Sequence, residues 1–95
     1  MKEISNLSLP DLIHHIASEA SNVKMVEHAL VDVCASYAEG LMRAETFDFT
    51  LKHLLQIELR KTYSTEYRRD VVVKYVVLLK TRVDEYRFKK NGGAA

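Results

Sequence analysis

Tryptophan is absent, cysteine and proline occur once each, and two of the three glycines stand in the closing NGGAA. A lone cysteine, Cys34, rules out an internal disulfide and suits a reducing compartment. One mid-chain glycine is too few for a glycine-rich backbone cradle around phosphate. No apolar run approaches the roughly 20 residues that span a bilayer, and the opening MKEISNLS lacks a signal-peptide core. Scarce glycine and proline, with abundant Leu, Ala, Lys, Glu and Arg, favour helix over sheet. The expectation is a soluble, cytoplasmic, all-α protein, its 95 residues forming one domain over 1–90 with loosely held first residues and a flexible tail at 91–95.

Catalytic and metal-binding patterns are equally scarce. The chain holds no G-x-S-x-G, no H-E-x-x-H and no dinucleotide fingerprint. Among the four histidines, His14 and His15 are adjacent, which turns them about 100° apart on a helix. Of the other two, His53 has no acidic or cysteine neighbour at ligand spacing and His28 has only Asp32, a pair two ligands short of a structural zinc site. Cys34 falls mid-helix, away from any cationic neighbour, so a buried apolar role is expected. Asp84 and Glu85 project in different directions. These features predict a non-enzyme with no cofactor, no metal and no small-molecule substrate.

What is present is helical periodicity. Ser8 as N-cap, Pro10 in the first turn and Asp11 three residues after the cap form the start of a helix over 9–20, with Leu7 and Leu12 as a hydrophobic staple. Its core side is Leu9, Leu12, Ile13, Ile16, Ala17 and Ala20. Ser21 or Asn22 starts a second helix over 22–44, with Met25, Val26, Ala29, Leu30, Val33, Tyr37 and Leu41 inward. Gly40 inside that helix, with Ala35 and Ala38, suggests close approach of a neighbour. Phe47 and Phe49 alternate with polar residues, which predicts a short extended link or tight turn over 45–50, with Asp48 or Thr50 capping the helix after it. A third helix follows over 50–62, with Leu51, Leu54, Leu55, Ile57 and Leu59 on more than one side.

The fourth helix, 65–90, organises the rest. Val72, Val76, Leu79, Val83 and Tyr86 recur at alternating steps of four and three, and Val71, Tyr75 and Leu78 widen the stripe. The segment VVVKYVVLL also has the β-branched content of a buried strand. Its charged helix-forming flanks and the lack of a second comparable strand favour helix.

Charge is uneven. Residues 1–57 carry four basic and eight acidic side chains, −4, while residues 58–95 carry ten basic and five acidic, +5, recovering the net +1. This polarity favours head-to-tail association or an acidic partner. No family motif matches residue by residue. The order short helix, long helix, F-x-F-T link, helix, long helix is similar to that of histone-fold-like subunits and some small bacterial helical regulators. Their signature residues are absent, so nothing is carried over.

Two functional readings follow. An apolar coat wider than one bundle stripe predicts an interaction module, a regulator, adaptor or inhibitor that binds another protein or a second copy of itself. It would act through the third and fourth helices and a basic C-terminal surface. The residues expected at that interface are Tyr67, Arg68, Val71, Tyr75, Leu78, Arg82, Tyr86, Arg87, Phe88, Lys89 and Lys90. The bland counterpart is a monomeric bundle with this helix at its centre. The alternative function is DNA or RNA binding by the same basic half. Against it, acidic residues interrupt each basic cluster and the pI is only about 7.9.

Overall fold

A computed structural model describes residues 3–92 of the chain, and the side chains of residues 3–89. Four α-helices follow a short 3-10 turn at Ile4–Asn6: α1 (Leu9–Ser18), α2 (Val23–Ala38), α3 (Ala44–Glu58) and α4 (Thr65–Gly92). No strand occurs among the described residues, and Val71 to Leu79 lies within α4. The fold is a compact all-α bundle. Residues 91 and 92 continue α4, whereas the rest of the tail expected at 91–95 and the first two residues lie outside the described residues.

Local chemistry fixes each helix end. The Ser8 side chain accepts from the Asp11 backbone N–H, so α1 starts where its capping sequence places it. It stops at Ser18 and not at residue 20, because Ser21 N–H turns away to donate to the Glu58 carbonyl at 2.9 Å. Asn22 caps α2 by accepting from Met25 N–H at 3.2 Å. That helix ends at Ala38, short of the expected 44. Gly40 sits at φ +77°, and the Leu41 N–H returns to Ser36 O at 2.9 Å while Gly40 N–H returns to Tyr37 O at 3.1 Å. This is a Schellman ending, so Gly40 terminates α2 and does not admit a neighbouring helix.

The expected extended link over 45–50 is also corrected. Those residues are the opening of α3, which starts at Ala44 after Arg43 with no side-chain cap, and neither Asp48 nor Thr50 begins it. A helix places residues two apart about 200° from each other. Phe47 is accordingly fully buried while Phe49 is 71% exposed. From Phe47 the inward side recurs every four residues as Leu51, Leu55 and Leu59, all fully buried. Ile57 lies on the exposed side, and α3 ends at Glu58 rather than 62.

The core joins Leu12, Ile13, Ile16 and Ala17 of α1, Val26, Leu30, Cys34 and Tyr37 of α2, and the α3 side just described. Into it α4 sends Val71, Val72, Tyr75, Val76, Leu79 and Val83, and it packs against all three other helices. Met25 and Leu41, expected inward on the second helix, are exposed. At 28 residues α4 measures about 42 Å at 1.5 Å per residue, nearly the 46 Å long axis of the chain. The other helices have 10 to 16 residues. They cover α4 as far as Val83, and Tyr86, the last member of the expected stripe, is half exposed.

Gly40 gives a test in which space and backbone conformation make opposite demands. A Cβ added there meets nothing within 4 Å, yet the positive φ disfavours any L side chain. Gly40→Ala is therefore expected to lower stability by about 1 kcal/mol in chemical denaturation. An unchanged or raised midpoint would contradict the assigned helix ending.

Candidate functional site

Four of the ten basic side chains in residues 58–95, those of Arg68, Lys80, Arg82 and Arg87, are engaged within the fold. Arg68 donates through Nε to Gln56 Oε1 at 3.2 Å and through Nη1 to the Tyr63 carbonyl at 3.1 Å, closing the α3–α4 turn. Arg82 donates to the Leu7 carbonyl at 2.8 Å, to the Ser5 carbonyl, and to Glu85 Oε1 at 2.9 Å. It thereby straps the N-terminal segment onto α4. The Arg87 guanidinium stands 5.1 Å above the Tyr37 ring, a cation–π contact. Tyr37 in turn stacks on Phe47 at 4.5 Å and donates to Asp84 Oδ1 at 3.1 Å, and Lys80 holds the other oxygen of that carboxylate at 2.9 Å. This hub pins the end of α2 and the start of α3 to the far part of α4.

A second hub closes the opposite end. Glu19, just past α1, accepts from Tyr75 on Oε1 and from Tyr63 on Oε2 at 2.7 Å. Thr62 donates to the Glu19 carbonyl at 2.6 Å, and His15 Nε2 lies 3.8 Å from the carboxylate. Burial, with the neighbouring Glu19 carboxylate, pushes both phenols above their usual range, so they stay protonated as donors. A shallow cleft of about 410 Å³ adjoins this cluster. Glu19, Tyr63, Tyr75 and His15 engage one another, which reads as a structural pin between α1 and the α3–α4 turn.

Among the described residues no reactive constellation stands out. Cys34 is 3% exposed, and burial pushes its thiol up to about 12, leaving it a protonated apolar filler at neutral pH. His14 Nδ1 pairs with Glu27 at 3.1 Å. Among the described residues no group of three or more His, Cys, Asp or Glu side chains could hold a metal ion. No helix is long and apolar enough to cross a membrane among those residues.

What remains is surface. Of the residues expected at an interface, Val71 and Tyr75 are buried in the chain's own core, Leu78 is half-buried, and Arg68, Arg82 and Arg87 have internal partners. Tyr67, Tyr86, Phe88 and Lys89 are exposed, Phe88 the most of the three aromatic residues at 74%. The side chain of Lys90 is outside the described residues. Tyr67 leans on Tyr63, with ring centroids 5.4 Å apart, at the far end of the bundle from Phe88. Val73 and Val77 form a second exposed apolar strip on α4, and Phe49 and His53 stack on the outside of α3.

Beside Tyr86 lies a feature that the stripe analysis overlooks. An apolar groove of about 310 Å³ runs between α1 and α2, with Leu9, Pro10 and Ile13 on one side and Val31, Cys34, Ala35 and Ala38 on the other. Tyr86 closes one end, and Glu39 lies on the rim. At the other end the groove continues into a wider cleft of about 510 Å³ bounded by Glu27, His28 and Asp32. The signal for it was Ala35 with Ala38: small side chains on an outward face leave a channel where larger ones would fill it.

No protein-family model matches this chain, and neither a curated protein nor a solved structure resembles it significantly.

The buried donors and thiol set the alkaline behaviour. Folding raises the pKa values of Cys34, Tyr63 and Tyr75, so above the ordinary values the unfolded chain binds fewer protons than the native one. Stability is complete below the thiol's ordinary 9.0 and should fall as pH rises past it, and faster past the phenol value of 10.0. In a thermal-melt series across pH 8 to 11, Cys34→Ala is expected to delay the start of that fall towards 10.0. Tyr75→Phe should cost about 1–2 kcal/mol at neutral pH by removing a donor from the half-buried Glu19 carboxylate. A stability that stays flat to pH 11, or a neutral Tyr75→Phe, would contradict the pin.

Proposed function

We propose that this chain is a small non-enzymatic interaction module of the reducing cytoplasm, acting as a regulator, adaptor or inhibitor by docking on another protein chain. The observation that carries the reading is the end of α4. There two aromatic side chains, Tyr86 and Phe88, stand exposed past the last core residue, Val83, and one of them walls an apolar groove. A lone exposed leucine such as Leu41 is ordinary on a protein surface. Aromatic side chains next to a groove floored by small and apolar groups are the usual anchors of helix-in-groove and similar interfaces.

The reading relocates the site relative to the sequence expectation. Docking centres on the α1–α2 groove and the α4 end, and the middle of α4 serves the core. Nucleic-acid binding is less well supported: Arg68, Arg82 and Arg87 already engage Gln56, backbone carbonyls and Tyr37, and the exposed Arg60, Lys61, Arg69, Lys74 and Lys89 are interspersed with the exposed carboxylates Glu66, Asp70 and Glu85.

Site-specific photo-crosslinking in cells that express the full chain tests the reading. A photoreactive residue at position 88 or 35 is expected to give discrete protein adducts, and one at exposed Lys61, in the turn at the opposite end, none. The adducts should persist from about 50 to 200 mM salt, where phosphate contacts weaken steeply. Absence of protein adducts at 88 and 35, or adducts to nucleic acid only, would overturn it.

A further inference from the structure

We infer that the α1–α2 groove takes a basic amphipathic helix of another protein, its apolar side in the channel and its lysine or arginine side chains along the α2 edge. This rests on the interaction reading above and names the chemistry of the partner.

The shape of the channel calls for a helix. Two helices wall it, α1 with Leu9 and Pro10 and α2 with Val31, Ala35 and Ala38, and the buried Ile13 lies between them. The three α2 residues follow one another at steps of four and three, which makes them one continuous stripe. Val31, 48% exposed, and Ala35 stay uncovered by the chain's own helices. A third helix laid along two others buries an apolar stripe against both. Alanine at 35 and 38 lets its backbone come close to α2, at the short end of the ~8–10 Å range between packed helix axes. The channel, at about 310 Å³, has room for about two groups of benzene size at ~150 Å³ each. That corresponds to two large apolar anchors one helical turn apart.

Charge selects which helix. Beside the apolar stripe, α2 carries Asp32 and Glu39 at the edge, and Glu27 bounds the wider cleft into which the channel opens. No lysine or arginine lines either cleft among the described residues. Glu27 pairs with His14 at 3.1 Å, whereas Asp32 and Glu39 form no ion pair among the described residues. These two carboxylates are seven residues apart, about 10.5 Å along the α2 axis, which is the advance of two turns in any helix lying alongside. Basic side chains at i and i+7 of the partner therefore meet both. The same rim repels an acidic helix, so it chooses as well as attracts. It also disfavours a second copy of this chain, whose Phe88 shares its surface with Asp84 and Glu85 as well as Lys89. Exposed ion pairs are individually weak, so the channel supplies most of the affinity and the rim sets register and partner choice.

The test is a photoreactive residue in place of Val31 in the full chain in cells, with the crosslinked segment identified by mass spectrometry. The expected segment has apolar residues at helical spacing and lysine or arginine seven apart beside them. A fluorescent synthetic peptide of that segment is then titrated against the purified chain. Asp32→Lys combined with Glu39→Lys should weaken its binding about tenfold, and glutamate at the peptide's two basic positions should recover most of the loss. Both positions are exposed, so circular dichroism and melting of the variant should match the parent. The milder pair Asp32→Asn and Glu39→Gln, which only removes the attraction, should weaken binding about threefold. An acidic segment, one without helical spacing, one from this chain itself, or binding indifferent to both pairs overturns the inference and leaves the interaction reading standing. So does the lack of adducts at position 31 when position 88 still gives them. No protein adducts at either position overturns both.

Discussion

Val72, Val76, Leu79 and Val83 are almost wholly withdrawn from water along one line of α4, and every other helix of the bundle leans on that line. Burying each such side chain is worth about 1.5–3 kcal/mol relative to exposure. A chain of 95 residues buries a modest fraction of its surface, so this line weighs heavily in the balance. It also dictates arrangement. The helices before it are short, and each covers only part of a rod about 42 Å long.

Two tyrosine hubs hold the partial covers in place. Near the start of α4, Glu19 gathers Tyr63 and Tyr75 and ties α1 to the α3–α4 turn. Near the far end, Tyr37 stacks on Phe47, donates to Asp84 and lies under Arg87. Between them Arg82 reaches across to the carbonyls of Ser5 and Leu7. Each of these polar side chains satisfies groups that burial would otherwise strand. The consequence for function is subtraction. Val71, Tyr75, Arg68 and Arg82, which look like binding groups in the sequence, are occupied within the fold, and Tyr86, Phe88 and the groove are left open where α4 outlasts its cover.

Much of this was legible in the residues. The α1 start followed from Ser8, Pro10 and Asp11, and the helical state of residues 71 to 79 from their flanks. Cys34 took the buried place that its position suggested. Two misreadings share one cause, that periodicity does not reveal what a residue faces. Phe47 and Phe49 look like alternating strand residues, yet opposite sides of a helix separate them just as well. Gly40 looks like a packing glycine, yet its backbone conformation ends the helix. The interface set failed for Val71 and Tyr75 because a wide stripe on a central helix is consumed by three neighbours on different sides. It failed for Arg68 and Arg82 because their partners include backbone carbonyls, 5 to 77 residues away, which carry no sequence signature. The groove beside Tyr86 was hidden for the reason that it is an absence of side-chain bulk.

The account turns on α4 being anchored to Val83 and bare beyond it. Amide hydrogen exchange at low protein concentration measures this residue by residue. Amides of residues 72 to 83 should exchange only through global unfolding, and those of residues 86 to 90 at least about a thousandfold faster, consistent with local opening near the end of a helix. Equal protection along the whole of α4, or exchange at 72 to 83 as fast as at its end, would contradict the claim that the helix is a buried axis with an uncovered end.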